Sequence, residues 1–427
     1  MKMPFRPASM LSRLVGLALF SVMTACAPMA VERAQAPAPI PASHAASADV
    51  RPPITVLLSI DGFRPAILRH GLTPNLDALA AEGVSGDMRP VFPANTFPNH
   101  VSLVTGQRPD HHGIVDNAMR DPRKPGVTWK ITDPLVNRDG FWWEEAEPVW
   151  VSAERAGIRT GVLYWPGSDN SINGTRPSIW FPYDAAITSA QRVDTALDWA
   201  RRPAATRPAF IAVYFDVVDK ADHHDGFDSA QEHAAIADVD AQIGRLRAGL
   251  ADMGQPANLI VVSDHGMAPV PPEHVRPITD IVDPAIMEAI TEGPWLDIYP
   301  LADKDAAVAA ALLRSHDNID CWRREDVPAR YAYGRNPRVA PFLCMAHVGW
   351  TFVKKPRAFT KGEHGFDPAA PEMRALFLAA GPAFRRGLTL PTFDNIDVYP
   401  LLARLVGLPP RPVDGNPATL DVNVISP

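Results

Sequence analysis

Short, nearly uninterrupted apolar runs recur along the chain and predict buried strands. The first, Ile54–Ile60, is apolar at almost every position, which is typical of a parallel strand covered on both faces. Four later runs have the same character, at 160–164, 210–215, 259–262 and 375–379. Helical patterns separate these runs, and this alternation predicts an α/β fold with a doubly wound, mostly parallel sheet flanked by helices.

The helical patterns lie at 75–82, 148–156, 189–201, 229–250 and 398–405. Gly83 closes the first of them, as expected at a helix C-terminus. From 269 to 360 the periodicity loosens, prolines are frequent, and one helix is indicated near 306–314. We interpret 269–360 as a smaller subdomain inserted into one catalytic domain that covers 54–427.

The first 26 residues have the pattern of an export signal. Lys2, Arg6 and Arg13 precede a short apolar core at 14–23, and small residues then lead to Cys26. This order resembles a bacterial lipoprotein signal, so we expect Cys26 to be lipidated and to anchor a periplasmic domain to the outer membrane. The alternative is a plain secretory signal with an incidental cysteine, and both interpretations export the protein.

Residues 27–53 are rich in alanine and proline, and we interpret them as a tether because such a composition cannot bury a core. The net charge of −7 offers no basic surface for duplex nucleic acid, although a nucleotide-sized anion could bind at a metal centre. Besides Cys26, the chain contains Cys321 and Cys344. An exported chain could oxidise them to one disulfide, and two free buried thiols are the alternative.

Acidic and imidazole side chains lie close to the predicted strands. They are Asp61 after the first strand, Asp219 and His223 after 210–215, Asp264 and His265 after 259–262, and His364 before 375–379. Ligands gather at the carboxyl ends of strands in open α/β sheets, so we expect these groups to meet. Clustered carboxylates are costly without cations, and Asp and His are preferred ligands of zinc-like ions. The pattern therefore predicts a metal site.

Thr96 follows a proline-bearing turn and precedes a short apolar-periodic run that ends at Gly106, so it is expected to be a helix N-cap. A helix start carries partial positive charge and attracts phosphate, which suits a nucleophile that attacks phosphorus. Taken alone, an ordinary capping threonine is the simpler interpretation. The acid and histidine pattern elsewhere in the chain is what favours a catalytic role.

These residues resemble the nucleotide pyrophosphatase/phosphodiesterase family of the alkaline phosphatase superfamily. The matching motifs occur in the family's order between about residues 55 and 416. They are SIDGFR at 59–64, FPANTFPNH at 92–100, LVTG at 103–106, HGIVDN at 112–117, YWPG at 164–167, Asp219 to His223, DHGM at 264–267, GEHG at 362–365 and VYPL at 398–401. The resemblance implies a two-metal hydrolase that releases nucleoside 5′-monophosphates.

The resemblance also implies a role for individual residues. It assigns Asp219, His223 and His364 to one zinc ion, and Asp61, Thr96, Asp264 and His265 to the other. Thr96 becomes the nucleophile that is transiently esterified by phosphate. Asn117 would bind a phosphate oxygen together with the Thr96 amide, and Phe97 and Tyr183 could sandwich a nucleobase. For Tyr183, a half-buried structural aromatic is an equal alternative.

Three positions depart from the family pattern: Asn95 where many members have lysine, Asp222 in place of glycine, and Phe227 in place of proline. None of these removes an expected ligand, but Asn95 removes a positive charge beside the nucleophile. The remaining histidines that we considered are expected to be hydrogen-bonding scaffold rather than ligands: His100, His111, His112, His224 and His347.

The sequence is compatible with two other functions. The metals could serve a phosphomonoesterase or an enzyme that cleaves phosphocholine-type lipid head groups, although a monoesterase would need extra Lys or Arg and Asn95 argues against that. A protein of another class, a surface lipoprotein that binds ligands with a degenerate hydrolase fold, would be expected to lack one or more ligands. All seven expected ligands are present.

Overall fold

The computed structural model describes residues 51–355 and 361–425, and all structural statements below concern these ranges. The strands in chain order are β1 (Ile54–Ile60), β2 (Val84–Arg89), β3 (Ala118–Arg120), β4 (Thr128–Lys130), β5 (Thr160–Leu163), β6 (Ile179–Phe181), β7 (Phe210–Phe215), β8 (Ala257–Val262), β9 (Ala268–Pro269), β10 (Val275–Pro277), β11 (Met287–Ala289), β12 (Trp295–Pro300), β13 (Ile319–Arg323), β14 (Phe342–Ala346), β15 (Thr351–Val353), β16 (Gly362–Glu363), β17 (Ala375–Ala380), β18 (Leu388–Thr389) and β19 (Phe393–Asp394).

The α-helices are α1 (Pro74–Glu82), α2 (Thr96–Thr105), α3 (Pro109–His112), α4 (Pro134–Asn137), α5 (Val149–Arg155), α6 (Ser189–Arg201), α7 (Val217–Asp225), α8 (Ala230–Asp252), α9 (Asp305–Leu312), α10 (Val398–Val406) and α11 (Ala418–Val424). Short 3-10 turns connect several of them, for example at Pro65–Ile67 and Asn395–Asp397.

One large sheet forms the centre of the molecule, with strand order β18-β2-β17-β8-β1-β7-β5-β6 and β19 beside β2. β1 lies between β7 and β8 and is parallel to both. Its residues are buried on both faces, because Leu57 packs into one apolar layer while Val56 and Leu58 pack into the layer on the other side. This double coverage explains the uninterrupted apolar run in the sequence.

The predicted α/β class and mostly parallel sheet are confirmed, and the strand pairing adds one difference. β17 has the apolar character of the parallel strands but runs antiparallel to both β8 and β2. A strand buried on both faces has the same apolar pattern in either direction, so its direction could not be predicted. β2 was not predicted either, since its sequence VSGDMR contains polar residues and two of its side chains are exposed.

The stretch interpreted as an inserted subdomain contains a separate four-stranded antiparallel sheet, β11-β12-β14-β13. Its own apolar cluster includes Leu296, Ile298 and Phe342. Cys321 and Cys344 face each other across β13 and β14 and form a disulfide, which decides between the two alternatives left open by the sequence.

The expected signal at 1–26, the lipidation at Cys26 and most of the tether at 27–53 lie outside the described residues. Among the helices of 51–355 and 361–425, none combines the length and the apolar character required to cross a membrane.

Candidate active site

The site lies at the carboxyl end of the three central strands. Asp61 follows β1, the Asp264-His265 pair follows β8, and α7, which carries Asp219 and His223, begins two residues after β7. Because β7, β1 and β8 are adjacent and parallel, their ends bring these side chains to one edge of the sheet. The order of the strands in the sheet therefore brings together acidic and histidine side chains that are far apart in the sequence.

His364 and Thr96 reach the same edge by other routes. β16 pairs with β9, which comes directly after the Asp264-His265 segment, so the His364 ring stacks on the His265 ring with centroids 3.7 Å apart. Thr96 begins α2, and its Oγ1 lies 3.2 Å from His265 Nε2. Gly62 has φ +70°, and a Cβ there would lie 3.1 Å from Asp219 Cβ, so glycine permits both the turn and the close approach of α7.

Two groups of ligand atoms can be distinguished at this edge. In one, Asp219, His265 and His364 bring their atoms within 4.8 Å of one another, and His223 Nε2 lies 3.4 Å from Asp219 Oδ1. In the other, Asp61 and Asp264 are grouped with His100. His265 Nε2 lies 3.0 Å from Asp264 Oδ2 and 3.5 Å from Asp61 Oδ1, so it stands between the two groups.

The three histidines expected to be ligands are oriented in the same way. Each Nδ1–H donates to a backbone carbonyl: His223 to Gly362 at 2.7 Å, His265 to Gly266 at 2.9 Å, and His364 to Ala94 at 3.0 Å. This arrangement turns each Nε2 toward the carboxylates, which is how a second hydrogen bond fixes the tautomer of a metal-binding histidine.

The protein alone leaves part of the charge on the buried carboxylates uncompensated, and a bound cation would compensate it. Asp61 Oδ1, Asp219 Oδ1 and Asp264 Oδ2 are buried, and apart from neighbouring histidine rings no group donates to them. Burial raises the pKa of Asp61 well above its usual value, and the charges of Asp264 and Asp219 raise it further. Buried, unpaired carboxylate oxygens that repel one another are the donor set expected around divalent cations.

The histidine pKa values describe the protein without ions. Burial lowers the pKa of His223, but the Asp219 carboxylate outweighs it and raises the value to about 10. Burial and the neighbouring His265 lower the pKa of His364 to about 3. His223 is therefore protonated at neutral pH when no ion is bound, and an ion that binds its Nε2 must displace that proton.

The position of Thr96 differs by one residue from the prediction. Asn95 has extended dihedral angles, φ −111° and ψ 156°, and is the N-cap, whereas Thr96 is the first helical residue. The Asn95 side chain makes no capping bond to the helix. The Thr96 hydroxyl is thus not used for capping and faces His265 instead.

Asn117 lies opposite the start of α2. Its Oδ1 accepts a hydrogen bond from the Phe97 amide at 2.9 Å, which leaves its Nδ2 as a donor. Next to these residues is a cavity of about 550 Å³ lined by Thr96, Phe97, Tyr183 and other side chains. Tyr183 is partly exposed in it, and its hydroxyl donates to the Asp216 carboxylate. Both expected base-binding aromatics therefore border the same cavity as the nucleophile.

A family model for type I phosphodiesterase / nucleotide pyrophosphatase matches residues 55–367. The chain belongs to this family. The expected family membership is thereby confirmed, and with it the class of enzyme, a hydrolase acting on phosphodiester bonds. The family is metal-dependent, in agreement with the ligand clusters at the sheet edge.

Two relatives are similar over most of their length. A bis(5′-adenosyl)-triphosphatase from Xenopus laevis is 34% identical over 367 residues, which are 85% of this chain and 80% of the relative. Ectonucleotide pyrophosphatase/phosphodiesterase family member 5 from Homo sapiens is 33% identical over 365 residues, with 84% and 76% covered.

Solved structures share the fold. An inactive variant of murine ectonucleotide pyrophosphatase/phosphodiesterase 5, in complex with AMP, is 32% identical and superimposes with a TM-score of 0.83 over 87% of this chain and 100% of that chain. The human protein gives the same TM-score and identity, with 99% of that chain covered.

Two residues of this family member were not predicted as part of the site. The Tyr214 hydroxyl, on β7, donates to Asp61 Oδ2 at 2.5 Å. His100 was predicted to be scaffold, and both of its ring nitrogens are used: Nε2 accepts from Ser59, while Nδ1 donates to the Thr96 carbonyl at 2.9 Å and lies 3.3 Å from Asp264 Oδ2. The contacts of Tyr214 with Asp61 and of His100 with Ser59 and Asp264 have no local sequence signal, because each joins distant segments.

Proposed function

We propose that this enzyme is a two-metal phosphodiesterase that cleaves nucleotide phosphodiester or pyrophosphate bonds, releases nucleoside 5′-monophosphates and acts through a covalent ester of Thr96. One observation carries the proposal. Three histidines, each held by a backbone carbonyl, turn Nε2 toward buried carboxylate oxygens that have no donor besides histidine rings, and the Thr96 hydroxyl lies 3.2 Å from one of these nitrogens, His265 Nε2.

The seven expected ligands would hold the ions in two sets. Asp219, His223 and His364 would form one set, and Asp61, Thr96, Asp264 and His265 the other. His265 lies near enough to both groups to contribute to either. Imidazole and carboxylate donors suit zinc, which is the ion we propose. Bound divalent ions lower the pKa of a coordinated hydroxyl and neutralise charge that develops on phosphoryl oxygens.

The residues of the chain then have separate tasks. Thr96 Oγ1 forms a bond to phosphorus while the bond to the leaving oxygen breaks, and water later cleaves the threonine ester. The Thr96 amide at the start of α2 would donate to the phosphate, and Asn117 Nδ2 can donate to the same oxygen while its Oδ1 holds the Phe97 amide. These donors are fixed before the substrate arrives.

The cavity supports a nucleotide as the substrate. Phe97 packs edge-on against Trp129, which holds its ring beside the nucleophile, and the hydrogen bond from Tyr183 to Asp216 holds the second ring. We propose that a nucleobase stacks between these rings, an interaction that tolerates any base. The AMP complex of the murine relative supports this assignment.

We also propose that the protein is exported and lipid-anchored through Cys26 in the periplasm. The signal pattern at 1–26 supports this, as does the Cys321–Cys344 disulfide, since structural disulfides persist in oxidising compartments. The names of several relatives describe ectoenzymes.

The test compares hydrolysis of a p-nitrophenyl nucleotide diester with that of p-nitrophenyl phosphate and p-nitrophenyl phosphocholine, with and without chelator. We expect the nucleotide diester to be preferred and the activity to require metal. Thr96→Ala should lose at least about a thousandfold in kcat. The matched control is Thr105→Ala, which removes a buried threonine at the other end of α2 and should retain activity.

Two results would contradict the proposal at different levels. Activity that resists the chelator, or that survives Thr96→Ala, would exclude the mechanism. Preference for the monoester or the phosphocholine ester would exclude the nucleotide substrate and leave the metal chemistry intact.

A further inference from the structure

A buried hydrogen bond joins the residues that immediately precede the nucleophile and the phosphate-binding asparagine. Asn95 Nδ2 donates to Asp116 Oδ1 at 2.5 Å. Asn95 is followed by Thr96 and Asp116 by Asn117, and a second bond runs from the Phe97 amide to Asn117 Oδ1. The segment with Thr96 and the segment with Asn117, which both contact the phosphate in the proposed mechanism, are therefore joined by one hydrogen bond before Thr96 and one after it.

Asp116 contacts a second carboxyl group on its other side. Its Oδ2 is buried, and no amide, hydroxyl or basic side chain donates a hydrogen bond to it. Asp297, on β12 of the inserted subdomain, lies within hydrogen-bonding distance of Asp116. Asp116 is fully buried and Asp297 is only 3% exposed. Two carboxylates cannot be in contact in such a place with both charges present, so one proton must lie between them.

The other polar groups around the pair identify which carboxyl holds the proton. Asp116 accepts from Asn95 and faces the amides of Asn117 and Ala118, which favour its ionised form. Asp297 has fewer donors, the Trp295 side chain and the Thr291 hydroxyl, and that hydroxyl accepts from the Asp297 amide at 2.7 Å and lies 3.4 Å from Asp297 Oδ2. Asp297 is therefore the proton donor and Asp116 the acceptor.

We infer that Asp297 is a positioning residue for the reaction: as a neutral acid it donates a hydrogen bond to Asp116, which through Asn95 fixes the distance between Thr96 and Asn117. This inference rests on the proposed roles of Thr96 and Asn117. It gives the inserted subdomain a part in catalysis although none of its side chains reaches the metal ligands through this link. Misplacement of a nucleophile by a fraction of an ångström is sufficient to reduce the rate of reaction.

The electrostatic surroundings agree with this assignment. Burial raises the pKa of Asp297 well above its usual value, and the charge of Asp116 raises it further. The neighbouring titratable and charged groups are Tyr299 on β12 and Tyr333, both with raised pKa values, Arg120 and Glu288 beyond Tyr299, and Asp110 beyond Tyr333. The two tyrosines stay neutral near physiological pH, so the carboxyl pair is the group that gains a proton on folding.

The first test is kinetic and uses the zinc-loaded full chain with a p-nitrophenyl nucleotide diester. Asp297→Ala should lower kcat about tenfold with KM within twofold, and Asp297→Asn, whose amide can still donate, should recover most of that loss. The kcat of Asn95→Ala should fall about as far as that of Asp297→Ala. The kcat of the double variant should fall no further, because both residues act through one link. Asp305→Ala, an exposed carboxylate of the same subdomain, is the control and should be unchanged.

The second test is the pH dependence of folding, which detects the proton shared by Asp116 and Asp297. In the wild type the folded pair holds a proton that the unfolded chain releases above pH 4, so the unfolding equilibrium constant should rise with pH relative to that of Asp297→Asn. One proton corresponds to about tenfold per pH unit from pH 5 up to the pH at which the folded pair releases it. Denaturant titration of both proteins at equal zinc concentration measures this ratio.

Several results would overturn the inference. They are an unchanged kcat in Asp297→Ala, an Asp297→Asn variant as slow as Asp297→Ala, multiplied losses in the double variant, or a pH-independent ratio of the unfolding constants. Thr96→Ala distinguishes this failure from a failure of the proposed function. If Thr96→Ala is inactive and the Asp297 variants behave normally, only the positioning role is wrong; if Thr96→Ala is active, the proposed mechanism itself fails.

Discussion

The two polar atoms of the Asn117 side chain have different roles: Oδ1 bonds the protein, and Nδ2 is proposed to bond the substrate. Its Oδ1 accepts from the Phe97 amide, so Asn117→Asp keeps that acceptor but replaces the donor with a negative oxygen facing the phosphate. We expect kcat to fall about 100-fold or more, as for the loss of one oxyanion donor, with little change in melting temperature. Steady-state kinetics and a thermal melt measure the two quantities. Unchanged kcat would remove Asn117 from the phosphate site.

His112 is a buried histidine away from the metal cluster. Its Nε2 bonds the Ser102 hydroxyl at 3.0 Å and its Nδ1 accepts from the Ile114 amide at 3.2 Å, so the folded protein holds a neutral ring. Burial lowers its pKa from the ordinary value to about 3. The unfolded chain binds a proton near pH 6.5 and the folded chain does not, so stability is lost as pH falls below 6.5.

The corresponding prediction concerns the acid side of the stability profile. Between pH 7 and 5, His112 should remove about 2 kcal/mol of the unfolding free energy of the wild type. His112→Gln should be less stable at pH 7 because it disturbs two hydrogen bonds, yet it should lose less on acidification. Denaturant unfolding at both pH values tests this. If both proteins lost the same unfolding free energy between pH 7 and 5, His112 would not be the cause of the pH dependence.

At the level of single residues, the sequence predicted the types of side chain at the site better than their contacts. Asp61, Asp264 and His265 were identifiable because they end buried strands. The carbonyls of Gly362 and Ala94, which orient two histidines, could not be predicted since they depend on the paths of distant loops. The cap at Asn95 rather than Thr96 was missed by one residue because either side chain could have capped the helix.

Among the connecting elements, the segment before β14 is joined to the loops around Asn117 by several hydrogen bonds, and one buried side chain makes four of them. The fully buried Arg338 guanidinium bonds Asp121 at 2.8 Å and the carbonyls of Gly113, Trp142 and Phe141. We expect Arg338→Leu to lower the unfolding free energy by about 3–5 kcal/mol, because it leaves buried polar groups without partners.

The matched control is Arg276→Ala, which removes a partly exposed ion pair with Asp280 four residues further along the chain. Such surface pairs contribute up to about 1 kcal/mol. Denaturant unfolding should therefore show a clearly larger loss of unfolding free energy in Arg338→Leu than in Arg276→Ala. Similar, small losses in both would mean that the described contacts of Arg338 do not stabilise this junction.

The accuracy of the element predictions followed the strength of the local pattern. β1, β7 and α6 were predicted with their observed bounds, because each is strongly apolar or strongly amphipathic over its whole length. The four-stranded sheet inside 269–360 was recognised only as an irregular stretch. Its strands are short and pair across long loops, so their partners are not encoded in adjacent residues.

For the whole molecule, the proposed ions are a source of stability as well as of chemistry. They would bind the folded cluster of carboxylates and not the unfolded chain. Each ion at 100 times its Kd would stabilise the fold by about 2.7 kcal/mol. Chelation should therefore lower the melting temperature by several degrees, and added zinc should restore it. A melting curve that is indifferent to chelator would contradict metal binding at the sheet edge.

The central claim is that Thr96 attacks phosphorus before water does. The stereochemical outcome at phosphorus tests it most directly, with a nucleotide phosphodiester made chiral by sulfur and hydrolysed in isotopically labelled water. Each in-line displacement inverts the configuration. Attack by Thr96 followed by water therefore predicts overall retention. Overall inversion would show a single displacement by water and would contradict the account.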